Sequence, residues 1–501
     1  FRQGFTFKAF YPAKKKAEAL VDLPITIPAP GANDNIHRRW YDKMWNNDRW
    51  SYAAWTQDGL QVAFCAGGDL FTMDTVLKKP VRIAGRTDLH DSDPLFSHDD
   101  NAILFVRDDG HHCRIVRAMR SEPHRPWWRN QEFEFDTLID HPGEISQLSL
   151  SPDGKRMAYC IDQSTLMMAD SDGTNPRIIQ DHLLDTAYYS WAPNGKWVAA
   201  MLKDSADNWD VWILSTEGKR EPYNLSRHVD YDGQIAWSPD GSRIAWVSMR
   251  GTERKSQLQI AYLTRDAFDE AFNNQHLENA LKKTPETDPP KPEESEQESD
   301  QPKKQEQAEP PPEETPREQP APAPNDTSEV AGGEGEKLDG IAFEGLQQRV
   351  RPLDCDGSDL RSPFWSFDSK VIAFNGTLGG KSGCWKMGTT KGASAAQLSS
   401  RQGWGARWLK KDSLIVWSYD GRPAHLNTSF NFKAYQETHL GEYRRLAFRL
   451  AWRILRDQFY DPRFNNKDWD ALREQYEPLA YRATDWAAFY RVIYMLNGEL
   501  N

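Results

Sequence analysis

Along most of the chain the apolar positions come in short bursts of about four residues, each introduced by the same kind of polar turn. The clearest are Leu150-Ser-Pro-Asp-Gly154 before Met157-Ala-Tyr-Cys160, and Trp237-Ser-Pro-Asp-Gly241 before Ile244-Ala-Trp-Val247. Trp55-Thr-Gln-Asp-Gly59, Phe96-Ser-His-Asp-Asp100 and Trp191-Ala-Pro-Asn-Gly195 stand in the same relation to the runs at Val62, Ile103 and Trp197. Weaker copies begin at Trp365 and Trp408. Pro presets φ at the second turn position, Asp or Asn bonds back to its own backbone, and Gly supplies the positive φ that closes the turn. Apolar β-formers on both sides make the flanking strands of a hairpin. A second hairpin follows within each unit, as in Leu166-Met-Met-Ala-Asp170, Asp172-Gly173 and Arg177-Ile-Ile179. The same order returns in Val211-Trp-Ile-Leu214, Glu217-Gly218 and Tyr223-Asn-Leu225. Each repeat therefore holds about four strands.

The turn positions Gly59, Asp100, Gly154, Gly195 and Gly241 lie 41, 54, 41 and 46 residues apart. A four-stranded unit at that period predicts a propeller blade, and one blade cannot bury both of its faces alone. The fold expected is mainly β, a six- or seven-bladed β-propeller of WD40-like or TolB-like repeats. A β-sandwich does not repeat one turn motif at this spacing. Trp55, Trp191, Trp237, Trp365 and Trp408 share one blade position and are expected to pack between blades.

Two stretches break the pattern. Residues 266–283 read as a short helix, and 284–327 hold 12 of the chain's 31 prolines with almost no apolar residue. That composition supports no core and predicts a disordered loop. Strand-like sequence resumes at Leu338 and is expected to finish the interrupted blade. From Glu437 the period changes from 2 to about 3.6. Leu446, Leu450 and Ile454, with Ala447 and Ala451, mark one expected helical face. Pro462 ends that helix, Asp468-Trp469 opens a second, and Thr484 is a candidate N-cap for a third. The organisation is thus blades over 1–265, helix and acidic Pro-rich insertion over 266–337, blades over 338–436, and a helical segment over 437–501.

Charge changes this picture little once it is located. The net charge is −12, but residues 284–327 hold 13 acidic residues against 4 basic ones, leaving the remainder nearly balanced. No nucleic-acid or acidic-substrate partner follows. No stretch approaches the roughly 20 apolar residues of a membrane span, so no membrane partner is expected. Cys65, Cys113, Cys160, Cys355 and Cys384 are scattered and odd in number, which argues against a disulfide framework. The chain opens on Phe1 with no apolar signal core before Lys8, so the N-terminus reads as processed or truncated and the compartment, cytoplasmic or periplasmic, stays open.

No catalytic, cofactor-binding or metal-binding residue is assigned from the sequence, and no cofactor is expected. No Gly-x-Ser-x-Gly elbow is present. Gly376-Thr-Leu-Gly-Gly-Lys-Ser382 is one residue short of a phosphate loop and lies between strands. His111-His112-Cys113 follow Asp108-Asp109-Gly110 at a hairpin, are expected to be exposed, and have no second ligand pair at metal spacing. Trp40, Trp45 and Trp50, and Trp127-Trp128 between Arg125 and Arg129, are the aromatic clusters that invite a ligand platform; Trp127-Trp128 is placed on a rim loop.

The tail carries a family resemblance. Phe459-Tyr-Asp-Pro462, Asp468-Trp469, Tyr476 with Leu479, and Met495-Leu-Asn-Gly-Glu-Leu-Asn501 resemble the opening helices of the core domain of tricorn-type serine peptidases. Asn497 departs from the pattern, where relatives run more directly into Gly-Glu-Leu. Tyr262-Leu-Thr-Arg-Asp266, a low-complexity insertion and Leu338-Asp-Gly-Ile341 also resemble a blade join in the bacterial relatives. The resemblance implies a propeller that filters or channels peptide substrates in a homo-oligomeric serine peptidase, with the catalytic residues beyond Asn501. The alternative is a non-catalytic TolB-like propeller that binds proteins or peptides. A propeller on a prolyl-oligopeptidase type hydrolase fits less well, because the tail does not resemble the start of an α/β-hydrolase domain.

Overall fold

A computed structural model describes residues 2–11, 16–26, 36–44, 53–185, 187–250, 255–272, 283, 339–390 and 392–500. Seven four-stranded antiparallel sheets follow one another in chain order as blades 1 to 7, over residues 54–84, 90–141, 145–180, 188–224, 232–352, 357–399 and 404–429. The fold is a seven-bladed propeller, the upper of the two blade numbers the repeats predict. Blade 5 takes its last strand, Val350–Pro352, from beyond the insertion; it pairs with Gln259, Ile260 and Ala261. The tract 284–327, Trp45 and Trp50 lie outside the described residues.

The turn chemistry read from the sequence is the turn chemistry observed. In blades 1, 2, 3, 5 and 6 the Ser or Thr hydroxyl donates to the Asp two residues on at 2.6 Å, as Ser151 does to Asp153. The same Asp153 oxygen accepts from the Lys155 amide, and Gly154, at φ +68°, donates to the Ser151 carbonyl. The Ser151 hydroxyl holds the Asp153 carboxyl below its ordinary value; burial works against it, and the Lys155 amide adds to the lowering. Asp153→Ala removes both bonds. It is expected to lower stability by about 1–2 kcal/mol, read as the midpoint shift in urea; an unchanged midpoint would refute the turn's role.

Each of the seven blade junctions has its own apolar core. Trp197, Val211, Ile244 and Trp246 join blades 4 and 5, and Val247, Ile260, Ile372 and Phe374 join blades 5 and 6. The ring closes between blades 1 and 7 without a shared strand. There Trp55, Val62 and Phe64 pack on Leu409, Val416, Phe430 and Phe432. Each fully buried side chain of this size contributes roughly 1.5–3 kcal/mol. The repeated aromatic of the sequence ends the first strand of its blade: Trp55 is 1% exposed, Trp365 5% and Trp237 8%, whereas Trp191 and Trp408 are half-buried.

Outside the ring, strand Arg2–Tyr11 pairs with Lys16–Thr26, and Ile36–Tyr41 pairs with Ala434–His439. Helix α1 (Arg265–Phe272) buries Ala267 and Ala271 against blades 5 and 6. Strand Ala434–His439 runs without a loop into helix α2 (Leu440–Gln458), followed by α3 (Trp469–Tyr481) and α4 (Trp486–Gly498). Two sequence expectations need correction here. The buried apolar side chains of α2 are Leu446, Phe448 and Trp452, while Ile454 is 45% exposed. Helix α2 is covered on two sides, so a single aliphatic stripe does not describe it; Phe448 and Trp452 pack on Trp469, Tyr476 and Phe489 of α3 and α4. The cap of α4 is Asp485, whose Oδ1 accepts from the Ala488 amide at 2.7 Å, and not Thr484.

Candidate functional site

First strands of neighbouring blades abut, blade 1 on 2, 2 on 3, 4 on 5, 5 on 6 and 6 on 7, so they lie nearest the propeller axis. Their pairing is interrupted at a recurring point. Register shifts occur around Asp93, Gln147, Gln234, Asp359 with Ser362, and Gly405, each with positive φ. A bulge of this kind re-aims side chains and ends regular pairing. Polar residues therefore occupy the irregular part of the inner ring, while the end of each strand stays aromatic or apolar.

Hydrogen bonds run between blades along this ring. Gln234 Oε1 of blade 5 accepts from the Ser362 amide of blade 6 at 2.7 Å. Tyr189 of blade 4 donates to the Gln147 carbonyl of blade 3 at 2.5 Å and accepts from the Ser149 hydroxyl at 2.9 Å. Trp191 Nε1 donates to Ser149 Oγ at 2.9 Å, and burial pushes the Tyr189 phenol well above its ordinary value. Arg407, on the first strand of blade 7, spans the closing junction and donates to the Trp55 carbonyl at 3.5 Å. Its side chain is exposed on the inner ring, yet the crowding of the surrounding blades lowers its guanidinium below the ordinary value, with the Asp100 carboxylate pulling the other way. Among the described residues the inner ring thus carries hydrogen-bond donors and acceptors, with Arg407 at the seam and Arg361 on the first strand of blade 6.

The second part of the site is the contact between blade 2 and the helices. The hairpin at 108–113 is tied by Gly110 N to Asp108 Oδ1 and by the His111 and His112 amides to Asp109 Oδ1, all within 2.7–2.8 Å. Burial works against ionisation of Asp109. The His112 amide, Arg114 and the His111 amide outweigh it and bring its carboxyl down to about 2. Asp108 accepts a two-pronged bond from Arg453 of α2, one prong at 2.9 Å, with both side chains nearly fully buried. Burial disfavours the charged guanidinium, yet Asp108 holds Arg453 above its ordinary value. Arg449, one turn earlier, pairs with Glu477 of α3 at 2.7 Å. It lies so close to Gly110 that a Cβ there would stand 2.4 Å from Arg449 Cβ. Gly110 has φ +82°, so both the turn and the close approach require glycine.

Two residue groups singled out in the sequence change role. His111 is not an exposed turn residue: it is half-buried, and its Nδ1 meets Arg473 Nη1 of α3 at 3.2 Å. Burial, then Arg449 and Arg473, lowers its pKa. His112 is exposed and pairs with Asp140 at 2.6 Å, whereas Cys113, expected to be exposed, is buried in the core between blades 2 and 3. Trp127 is fully buried, between Phe96 and a stacked Phe133; its Nε1 donates to the Asp100 carbonyl and its amide to Gln61 of blade 1. It is a packing residue of the junction between blades 1 and 2. Trp128 is half-buried beside Arg129. Gly379 and Gly380, at φ +55° and +75°, form the two-residue turn of a hairpin in blade 6, so this glycine-rich run precedes a strand and not a helix. Sequence reasoning missed Asp108 and Arg453. The spacing of Arg445, Arg449 and Arg453, four residues apart on one helical face, was the available signal.

Among the described residues, no group of three or more His, Cys, Asp or Glu side chains is arranged to hold a metal ion, and no helix is long and apolar enough to cross a membrane. Among the described residues, neither histidine–carboxylate pair of blades 2 and 3, His112–Asp140 or His141–Asp162, has a serine hydrogen-bonded to its ring.

Comparison with known proteins places the helical unit first. Residues 442–497 match the family described as the Tricorn protease C1 domain. A putative Tricorn-like protease C-terminal subunit of Sulfurisphaera tokodaii is 26% identical over 109 residues, 22% of this chain and 12% of that protein. The crystal structure of the tricorn protease matches 99% of this chain and 44% of its own at a TM-score of 0.57 and 13% identity. The chain therefore spans less than half the length of the relatives it matches.

Proposed function

We propose, from the premise that this chain is a relative of the tricorn-like proteases, that its propeller filters and channels peptides to a serine-peptidase core. In this reading the catalytic residues lie outside the 501 residues, the substrates are peptides, and the assembled protein is a homo-oligomer. The observation that carries it is the junction of blade 2 with the segment matching the C1 domain. The buried Asp108–Arg453 pair and the loopless passage from Ala434–His439 into α2 fix the propeller on the helices. A propeller held this firmly is a wall of the core's approach path and not a tethered appendage. Beside the bonds that join the blades, the inner ring exposes the Gln234 and Arg407 side chains and half-buries those of Gln147 and Ser362, amide, guanidinium and hydroxyl groups that suit an extended backbone carrying one donor and one acceptor per residue.

The test treats the protein expressed from its whole reading frame, and separately the 501-residue chain, with fluorogenic peptides and a serine-directed phosphonate label. The expected result is hydrolysis and a labelled serine in the former, and neither in the latter. Reproducible cleavage by the 501-residue chain, or a label on one of its own serines, would overturn the assignment of catalysis to residues outside it.

A further inference from the structure

At the seam where the ring closes, the loop before the last strand of blade 1 faces the chain that leaves blade 7, and a cavity of about 830 Å³ lies between them. Asp74 shapes the loop: its Oδ1 accepts from the Val76 amide at 2.7 Å and from the Leu77 amide at 2.6 Å. The turn leaves Val76 82% and Leu77 54% exposed. Lys78 follows at φ +56°, and its Nζ sits 5.5 Å from the centre of the Phe430 ring, a contact that holds an ammonium over an aromatic face. Lys79 and Pro80 complete this wall, and Lys433 comes from the blade 7 side.

The cavity's positive charge is not offset. Asp42 is the one acidic residue in its described wall, and Asp42 Oδ2 accepts from Arg422 Nη2 at 3.0 Å. Neighbouring Asp420 accepts from Arg422 Nη1 and from Lys43 Nζ, both at 2.7 Å. Those two carboxylates are thus matched by Arg422 and Lys43. Lys78, Lys79 and Lys433 form no salt bridge and donate no side-chain hydrogen bond among the described residues. Lys79 and Lys433 are exposed and Lys78 is half-buried. Ammonium groups gathered on one cavity without counter-charge repel one another, and an anion brought among them relieves that repulsion.

We propose that this cavity docks an acidic peptide segment of a partner protein, its carboxylates on Lys78, Lys79 and Lys433 and an apolar side chain on Leu77 and Pro80. Charge complementarity carries the choice of occupant, and the exposed Leu77 beside the lysines adds an apolar contact that a purely ionic ligand leaves unused. A nucleic acid brings the charge but finds little else here. Phe432, the aromatic residue of the wall, is only 4% exposed and offers no face for base stacking, and the Arg422 guanidinium is already taken. The volume holds several residues and is large for one small anion. The cavity lies on the outer strands of blades 1 and 7, apart from the inner ring, and does not depend on the peptidase reading.

Titration calorimetry on the 501-residue protein tests it, with a blocked hexapeptide of four glutamates and two leucines as the probe. Saturable binding is expected, and it is expected to be lost at about 1 M salt, where charges are screened beyond about 3 Å. Lys79→Gln combined with Lys433→Gln is expected to weaken the peptide by about tenfold, and Leu77→Ser by about threefold. All three side chains are exposed, so the replacements leave the fold intact, which circular dichroism checks. Lys370→Gln combined with Lys381→Gln makes the same change of charge on exposed positions of blade 6 and is expected to leave binding unchanged. No saturable binding, or equal weakening by the blade 6 pair, overturns the site. Binding unchanged by Leu77→Ser overturns the apolar contact. A single-stranded oligonucleotide that binds as tightly as the peptide overturns the choice of occupant. So does sedimentation of the protein alone that shifts with the Lys79 and Lys433 replacements, which assigns the face to a second copy.

Discussion

Replacing Arg453 by Met is expected to destabilise the protein by about 3–5 kcal/mol, because it strands the Asp108 carboxylate in a buried contact. Met keeps much of the volume and apolar stem of Arg, so the loss belongs to the charge and its two hydrogen bonds rather than to a cavity. The companion Asp108→Asn, which leaves the guanidinium buried without its counter-charge, is expected to fall in the same direction. The double variant removes both charges at once and is expected to be more stable than either single variant, since no lone charge stays buried. Differential scanning calorimetry of the three proteins decides the matter. If the double variant shows the sum of the two single losses, the pair is not coupled and does not hold the helices to blade 2.

The second large effect belongs to Trp127. Trp127→Ala is expected to cost about 3–5 kcal/mol, the range for deleting a buried aromatic side chain. Its indole is 0% exposed, stacks on Phe133 and satisfies the Asp100 carbonyl. The neighbouring Trp128→Ala, at a half-buried site, is expected to cost less than half as much. Thermal unfolding of the two variants separates the roles. Equal losses would contradict the separation of Trp127, buried in the junction, from the half-buried Trp128.

That contrast shows where the sequence was legible and where it was not. The blades could be read because one local device, a Ser hydroxyl and an Asp carboxylate closing a turn over a positive-φ residue, is written out repeatedly within five or six residues. The number of blades stayed between six and seven because the last copy, Trp408-Leu-Lys-Lys-Asp412, keeps neither the Pro nor the Gly; Asp412 itself takes φ +54° there. The junction was harder to see. Asp108 and Arg453 are 345 residues apart, and each sits in an ordinary local setting, a hairpin tip and a helix face. The face of α2 was misjudged for a related reason: a helix packed on two sides has no single stripe, and aromatic residues outweighed the aliphatic ones. The inner ring was not legible, either as a place or as a role. Its bulges at Gln147 and Gln234 depend on pairing with the next strand, which no local pattern encodes.

The central claim is that the propeller's inner ring selects the peptides a peptidase core receives. It is tested most directly by the kcat/KM ratio for matched acidic and basic fluorogenic peptides, using the whole-frame protein with Arg407 and with Arg407→Glu. The account predicts that the charge reversal shifts this ratio towards basic peptides by roughly threefold to tenfold. An unchanged ratio, with both proteins equally folded and equally active on a neutral peptide, would contradict it.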